Sequence, residues 1–165
     1  MKQRILSILV DNTSGVLSRV SGLFSRRGYN IDSLTVGETA DPRYSRMTVV
    51  VNGDEQILDQ IEKQLAKLID VADVKILKEG ESVNRELILV KVRAEAKDRQ
   101  PLSAVCDIFR AKIVDINKDS MIIELTGDLS KLNAFMELMK DYEILELART
   151  GITGLSRGSD DIRYL

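Results

Sequence analysis

The residues of this chain best suited to chemistry lie in one stretch, Asp11 to Val20, which reads D-N-T-S-G-V-L-S-R-V. It follows the apolar run Ile5 to Val10 and opens a segment in which Val16, Leu17, Val20, Leu23 and Phe24 recur at helical spacing, so the chain passes here from strand to helix. The first backbone N–H groups of such a helix, at Gly15, Val16 and Leu17, have no intrahelical acceptor, and the helix dipole adds partial positive charge. That combination suits a small carboxylate. Gly15 has no Cβ and lets a ligand approach the backbone closely, while Asn12 offers a donor and an acceptor beside it. The plainer alternative is a helix capped by Thr13 or Ser14.

Covalent chemistry has little to work with. The 165 residues include no histidine and one cysteine, which removes Ser-His-Asp triads, most metal sites and any disulfide within the chain. Cys106 shares a helical face with Leu102, Val105 and Phe109 and reads as a small buried hydrophobe. Lys and Arg number 24 against 26 Asp and Glu, a net charge of −2 with no block of like sign, which argues against non-specific nucleic-acid binding. No apolar run is long enough to span a bilayer, and Met1 to Arg4 lead straight into a strand without a signal-peptide core, so a soluble, cytoplasmic protein without membrane contact is expected.

The elements that must position the Asp11–Val20 stretch follow from pattern. Strands are predicted over Arg4–Val10, Ile31–Glu38, Ser45–Asn52 and Val71–Leu77, and helices over Gly15–Arg27 and Glu55–Leu68, with Gly28 as terminator of the first and Asp54 as cap of the second. The polar run Lys78–Asn84 reads as a linker. The same order then returns: strands Glu86–Ala94, Ile113–Asn117, Met121–Thr126 and Ile144–Ala148, and helices Pro101–Ala111, with proline in its first turn, and Asp128–Lys140. The fold class is α+β, two ferredoxin-like βαββαβ units whose helices cover one face of an antiparallel sheet. The domains expected are 1–79, a linker at 80–84, and 85–165. Units of about 80 residues bury only about 60 to 65% of their unfolded surface and lean on partners. The second strand is an edge in the usual order of such a sheet, and Ile31, Leu34 and Val36 supply apolar surface there, so a sheet continued into a second copy is the expected dimer.

Four segments together carry a family resemblance: D-N-T-S-G-V-L-S-R-V, then G-L-F-S-R-R-G-Y-N-I-D-S-L-T-V at Gly22 to Val36, S-R-M-T at Ser45 to Thr48, and A-R-T-G-I-T-G-L-S-R-G at Ala148 to Gly158. In this order and spacing they resemble the small regulatory subunit of acetohydroxyacid (acetolactate) synthase, over nearly the whole chain. The resemblance implies an amino-acid-binding ACT domain at 1–79 and the family's C-terminal domain at 85–165. It further implies a non-catalytic role: activation of a large catalytic subunit that carries thiamine diphosphate, Mg and FAD, this chain holding no cofactor or metal of its own, and feedback inhibition by valine or a related branched-chain amino acid. In similar proteins the effector lies at a dimer interface. Carried over by position, that implies Asn12, Gly15, Val16 and Leu17 from one chain and Asn30 and Ile31 from the other; the residues alone had pointed to the first group only.

Other readings remain on the sequence alone. A stand-alone amino-acid sensor acting on another enzyme or regulator is one. An RNA-binding ferredoxin-like domain lacks the sheet aromatics it needs, since Ile31–Glu38 and Ser45–Asn52 carry no such pattern. An independent enzyme lacks a nucleophile-base pair. The tail bearing Gly151, Gly154 and Gly158 has neither a P-loop nor a G-x-G-x-x-G ahead of a helix, and reads as a flexible tail or as a contact for the large subunit.

Overall fold

Alternation of side chains along the first and third strands builds the first sheet. In the computed structural model, which describes residues 1–159, β1 (Lys2–Asp11) and β3 (Tyr44–Gly53) pair antiparallel from Lys2 opposite Gly53 to Asp11 opposite Tyr44. Leu6, Ile8 and Val10 of β1 and Met47, Val49 and Val51 of β3 face one side. Against them pack Val16, Val20, Leu23 and Phe24 of α1 (Val16–Arg26) and Leu58, Ile61 and Leu65 of α2 (Glu55–Ala66), so both helices cover the same face. With β2 (Ile31–Glu38) and β4 (Val71–Ile76) the sheet order is β2-β3-β1-β4, which leaves β2 at an edge as expected. The end of α1 is a left-handed glycine stop: Gly28 has φ +68°, its N–H donates to the Ser25 carbonyl, and Tyr29 N–H donates to the Phe24 carbonyl at 2.9 Å. The Phe24 and Tyr29 rings meet edge to face across this turn and aim the chain into β2.

The second half repeats the pattern with β5 (Ser82–Arg93), α3 (Ala96–Phe109), β6 (Lys112–Ile116), β7 (Ser120–Gly127), α4 (Leu129–Met139) and β8 (Ile144–Arg149), in the order β6-β7-β5-β8. Ile88, Val90, Val92, Ile123, Leu102 and Phe135 are among the residues of its own core.

Most boundaries fall within two residues of the sequence reading, and three features depart by more. β5 begins at Ser82, so the last residues of the predicted linker are already strand. α3 begins at Ala96 and holds Pro101 in its interior instead of its first turn. The start is set by Asp98, whose carboxylate accepts from Glu95 N–H at 3.0 Å, a polar signal that apolar periodicity overlooks. The third departure is the tail. Thr153–Ser156 forms a strand, β9, with Gly151, Ile152 and Gly154 buried, which goes against the first of the two readings of the tail, a flexible segment. Residues 152–159 group with Met1–Val83 in one compact unit, and Asn84–Gly151 form the other. The tail from 160 onward lies outside the described residues.

Candidate functional site

α1 begins unlike the other three helices. Asp54 accepts from Ile57 N–H and Asp128 from Lys131 N–H, each at 2.9 Å, and α3 has its Glu95–Asp98 pair. At α1 neither Thr13 nor Ser14 makes the expected cap: the residue before the helix is Gly15, no side chain caps it, and the first turn holds no acidic residue. Only Val16 N–H approaches a carbonyl, that of Thr13 at 3.5 Å, a marginal bond. The N–H groups at the start of the helix are therefore open to an outside acceptor. Gly15 sits at φ +85°, a conformation that glycine adopts without strain.

Sequence reasoning missed a cation at this place. Arg19, one turn along α1, folds back so that a Cβ on Gly15 would lie 2.9 Å from its Nη1. Its Nε and Nη2 donate to Asp70 at 2.5 and 3.1 Å, hydrogen bonds that raise the guanidinium pKa above its ordinary value. The Asp70 carbonyl in turn accepts from Asp11 N–H at 2.9 Å, which ties the pair to the end of β1. The i+4 spacing from Gly15 was visible in the sequence; the partnership with an aspartate far along the chain was not.

The two asparagines are held alike. Asn12 Nδ2 donates to Glu38 Oε2 at 3.1 Å and to the Pro42 carbonyl at 3.0 Å, while Asn30 Nδ2 donates to Asp32 Oδ1 at 3.2 Å. Asn52 Nδ2 also donates to Asp32. With the amide nitrogens engaged, each side chain presents its carbonyl oxygen, an acceptor suited to an ammonium group. Val16 contributes only backbone, since its side chain is in the core, whereas Leu17 is 47% exposed and Ile31 half-buried against the core.

These residues fall into two groups. Asn12 follows Asp11, which pairs with Tyr44, whereas Ile31 pairs with Val51. The span from Tyr44 to Val51 along β3 corresponds to about 23 Å of strand, too far for one amino acid to bridge within a chain. Asn12, Gly15, Val16 and Leu17 thus share one end of the sheet, and Asn30 and Ile31 lie at the other.

Elsewhere, Cys106 is 2% exposed in the second core and burial pushes its thiol pKa up, the mark of an inert side chain. Among the described residues no His, Cys, Asp or Glu group is arranged to hold a metal ion, and no helix is long and apolar enough to cross a membrane.

Comparison with known proteins adds identity to this geometry. Residues 6–73 match the family described as an AHAS small subunit-like ACT domain, and residues 85–158 match the small subunit of acetolactate synthase. The acetolactate synthase isozyme 3 small subunit of Salmonella typhimurium is 49% identical over 98% of this chain and 99% of its own. A probable acetolactate synthase small subunit of Archaeoglobus fulgidus is 51% identical over 93% and 96%. The crystal structure of the acetolactate synthase small subunit from Thermotoga maritima superposes with a TM-score of 0.87 at 41% identity, covering 96% of this chain and 99% of that one. With both halves matched in order and relatives this similar from end to end, the chain belongs to the acetolactate synthase small subunit family.

Proposed function

We propose that this chain is the regulatory subunit of an acetolactate synthase in branched-chain amino-acid synthesis: it activates a separate catalytic subunit and makes it sensitive to valine. The observation that carries the effector reading is the uncapped start of α1 at Gly15, set against three helices that cap themselves. The valine carboxylate takes the free N–H groups at the start of the helix, with the Arg19 cation beside it. The ammonium takes the carbonyl oxygens of Asn12 and Asn30. The isopropyl group meets apolar surface, for which Leu17 at 47% and Val36 at 48% exposure are available. One methylene in such a pocket is worth only about 1 to 3 kcal/mol, so leucine and isoleucine also bind, more weakly.

Because the two groups of residues lie at opposite ends of the sheet, the site needs two chains. If edge strand β2 pairs antiparallel with β2 of a second copy, the copy's Asn30 and Ile31 arrive at the Glu38 end of β2. Asn12 is hydrogen-bonded to Glu38, so each two-fold dimer completes two equivalent sites. Thiamine diphosphate, Mg and FAD belong to the catalytic partner in this reading.

The test is reconstitution. Added to its purified catalytic subunit, the chain is expected to raise acetolactate formation several-fold, and valine is expected to reverse that gain. No change in rate on mixing, with the complex shown to form, would reject activation; a rate unaffected by valine would reject the effector role.

A further inference from the structure

The effector-binding edge strand also grips the C-terminal segment. On the face of the sheet away from the helices, the Thr35 hydroxyl donates to the Ile152 carbonyl at 3.2 Å and Ile152 N–H donates to Ser33 Oγ at 3.4 Å. Two side chains of one strand thus hold both backbone groups of a single residue, which is only 9% exposed. Downstream, Arg157 N–H donates to the Glu81 carbonyl at 2.8 Å, and β9 lies between these anchors.

Two features make this grip sensitive to what happens at the start of β2. First, the β2–β3 register slips between Ile31 and Ser33, so Asp32 is the extra residue of a bulge, and its carboxylate braces Asn30 and Asn52. Asn30 and Ile31 lie on one side of the slip and Ser33 immediately on the other. Second, Thr48 stands directly across from Thr35, is 1% exposed, and its hydroxyl has no partner among the described residues. A buried hydroxyl without a partner is costly, and the two hydrogen bonds of the grip beside it are longer than most of their kind.

We propose that Ser33 and Thr35 are positioning residues that couple the amino-acid site to the C-terminal segment, and that effector binding opens their grip on Ile152. This rests on the reading that Asn30 and Ile31 meet the effector. The direction rests on the grip itself: its two hydrogen bonds are long, at 3.2 and 3.4 Å, and stand beside the unpartnered Thr48 hydroxyl, so opening is the change that costs least and the one a ligand can favour. Reciprocity then requires that removing the grip strengthen effector binding, a sign opposite to that of general destabilisation.

The experiment uses the full chain in complex with its catalytic subunit and valine as the probe, comparing wild type, Ser33→Ala/Thr35→Val and the conservative Thr35→Ser. Backbone hydrogen exchange over 152–156 is expected to quicken in wild type when valine is added. It should be already fast in the double variant without valine, and to behave as wild type in Thr35→Ser. The double variant should bind valine more tightly by on the order of fivefold or more and show weaker activation before any valine is added. If the double variant is too unstable to purify, Thr35→Val alone carries the same expectations in smaller measure. Valine binding with unchanged exchange over 152–156, or a variant that binds valine no more tightly than wild type, overturns the coupling alone. Failure of wild type to bind valine at all overturns the effector reading together with it.

Discussion

Gly15 meets two demands at once, a backbone at φ +85° and a guanidinium nitrogen 2.9 Å from where a Cβ would stand. Aspartate adopts left-handed backbone more readily than most residues, so Gly15→Asp should fold with a loss of about 1 to 2 kcal/mol. Its carboxylate would occupy the ligand's place. Two like charges about 4 Å apart cost roughly 1 kcal/mol in water and about 4 kcal/mol at an effective dielectric of 20, or about five- to nearly a thousandfold in affinity. Acetolactate formation by the reconstituted complex should therefore resist valine while activation persists, with thermal melting as the folding control. A folded variant still inhibited at the wild-type valine concentration would remove this loop from the effector site. Residue type alone had singled out Gly15 and Asn12. The positive φ was not legible, being a backbone angle that residue type permits but does not dictate, and neither was the place of Arg19, which is held by Asp70 at the end of β1, brought close only by the fold.

At the scale of elements, the start of α1 is the feature that distinguishes function from packing. Asp54→Ala should lower stability by about 1 kcal/mol, because it removes an acceptor that Ile57 N–H uses. Thr13→Ala and Ser14→Ala should change it by less than about 0.5 kcal/mol, since neither side chain caps α1. Chemical denaturation of the three variants checks this; a Ser14→Ala loss equal to that of Asp54→Ala would mean that the helix is capped in solution and the carboxylate site closed. The strands and helices with one apolar face were readable from the sequence, β2 to the residue at Ile31–Glu38. What escaped were elements set by polar or long-range contacts. The first turn of α3 is A-K-D-R-Q, without apolar rhythm, and β9 is a four-residue strand whose preceding residue, Ile152, is held by the hydroxyls of Ser33 and Thr35.

For the whole molecule, the decisive fact is that the two groups of residues proposed to hold the effector lie at opposite ends of one sheet, with Asp11 opposite Tyr44 and Ile31 opposite Val51. An effector that meets both groups must therefore bind a site shared between chains, and mixed dimers read this directly. Gly15→Asp repels the ligand carboxylate and Asn30→Lys, at an exposed position, repels its ammonium. Each variant alone damages both sites of its dimer, whereas a mixed dimer has one site with both defects and one with none. After subunit exchange of equal amounts, half the dimers are mixed, so calorimetry should find valine binding restored to about a quarter of the wild-type stoichiometry at near wild-type affinity. Mass spectrometry confirms the exchange. Mixed dimers that bind no valine, or either parent dimer binding at full stoichiometry, would contradict a site built from two chains.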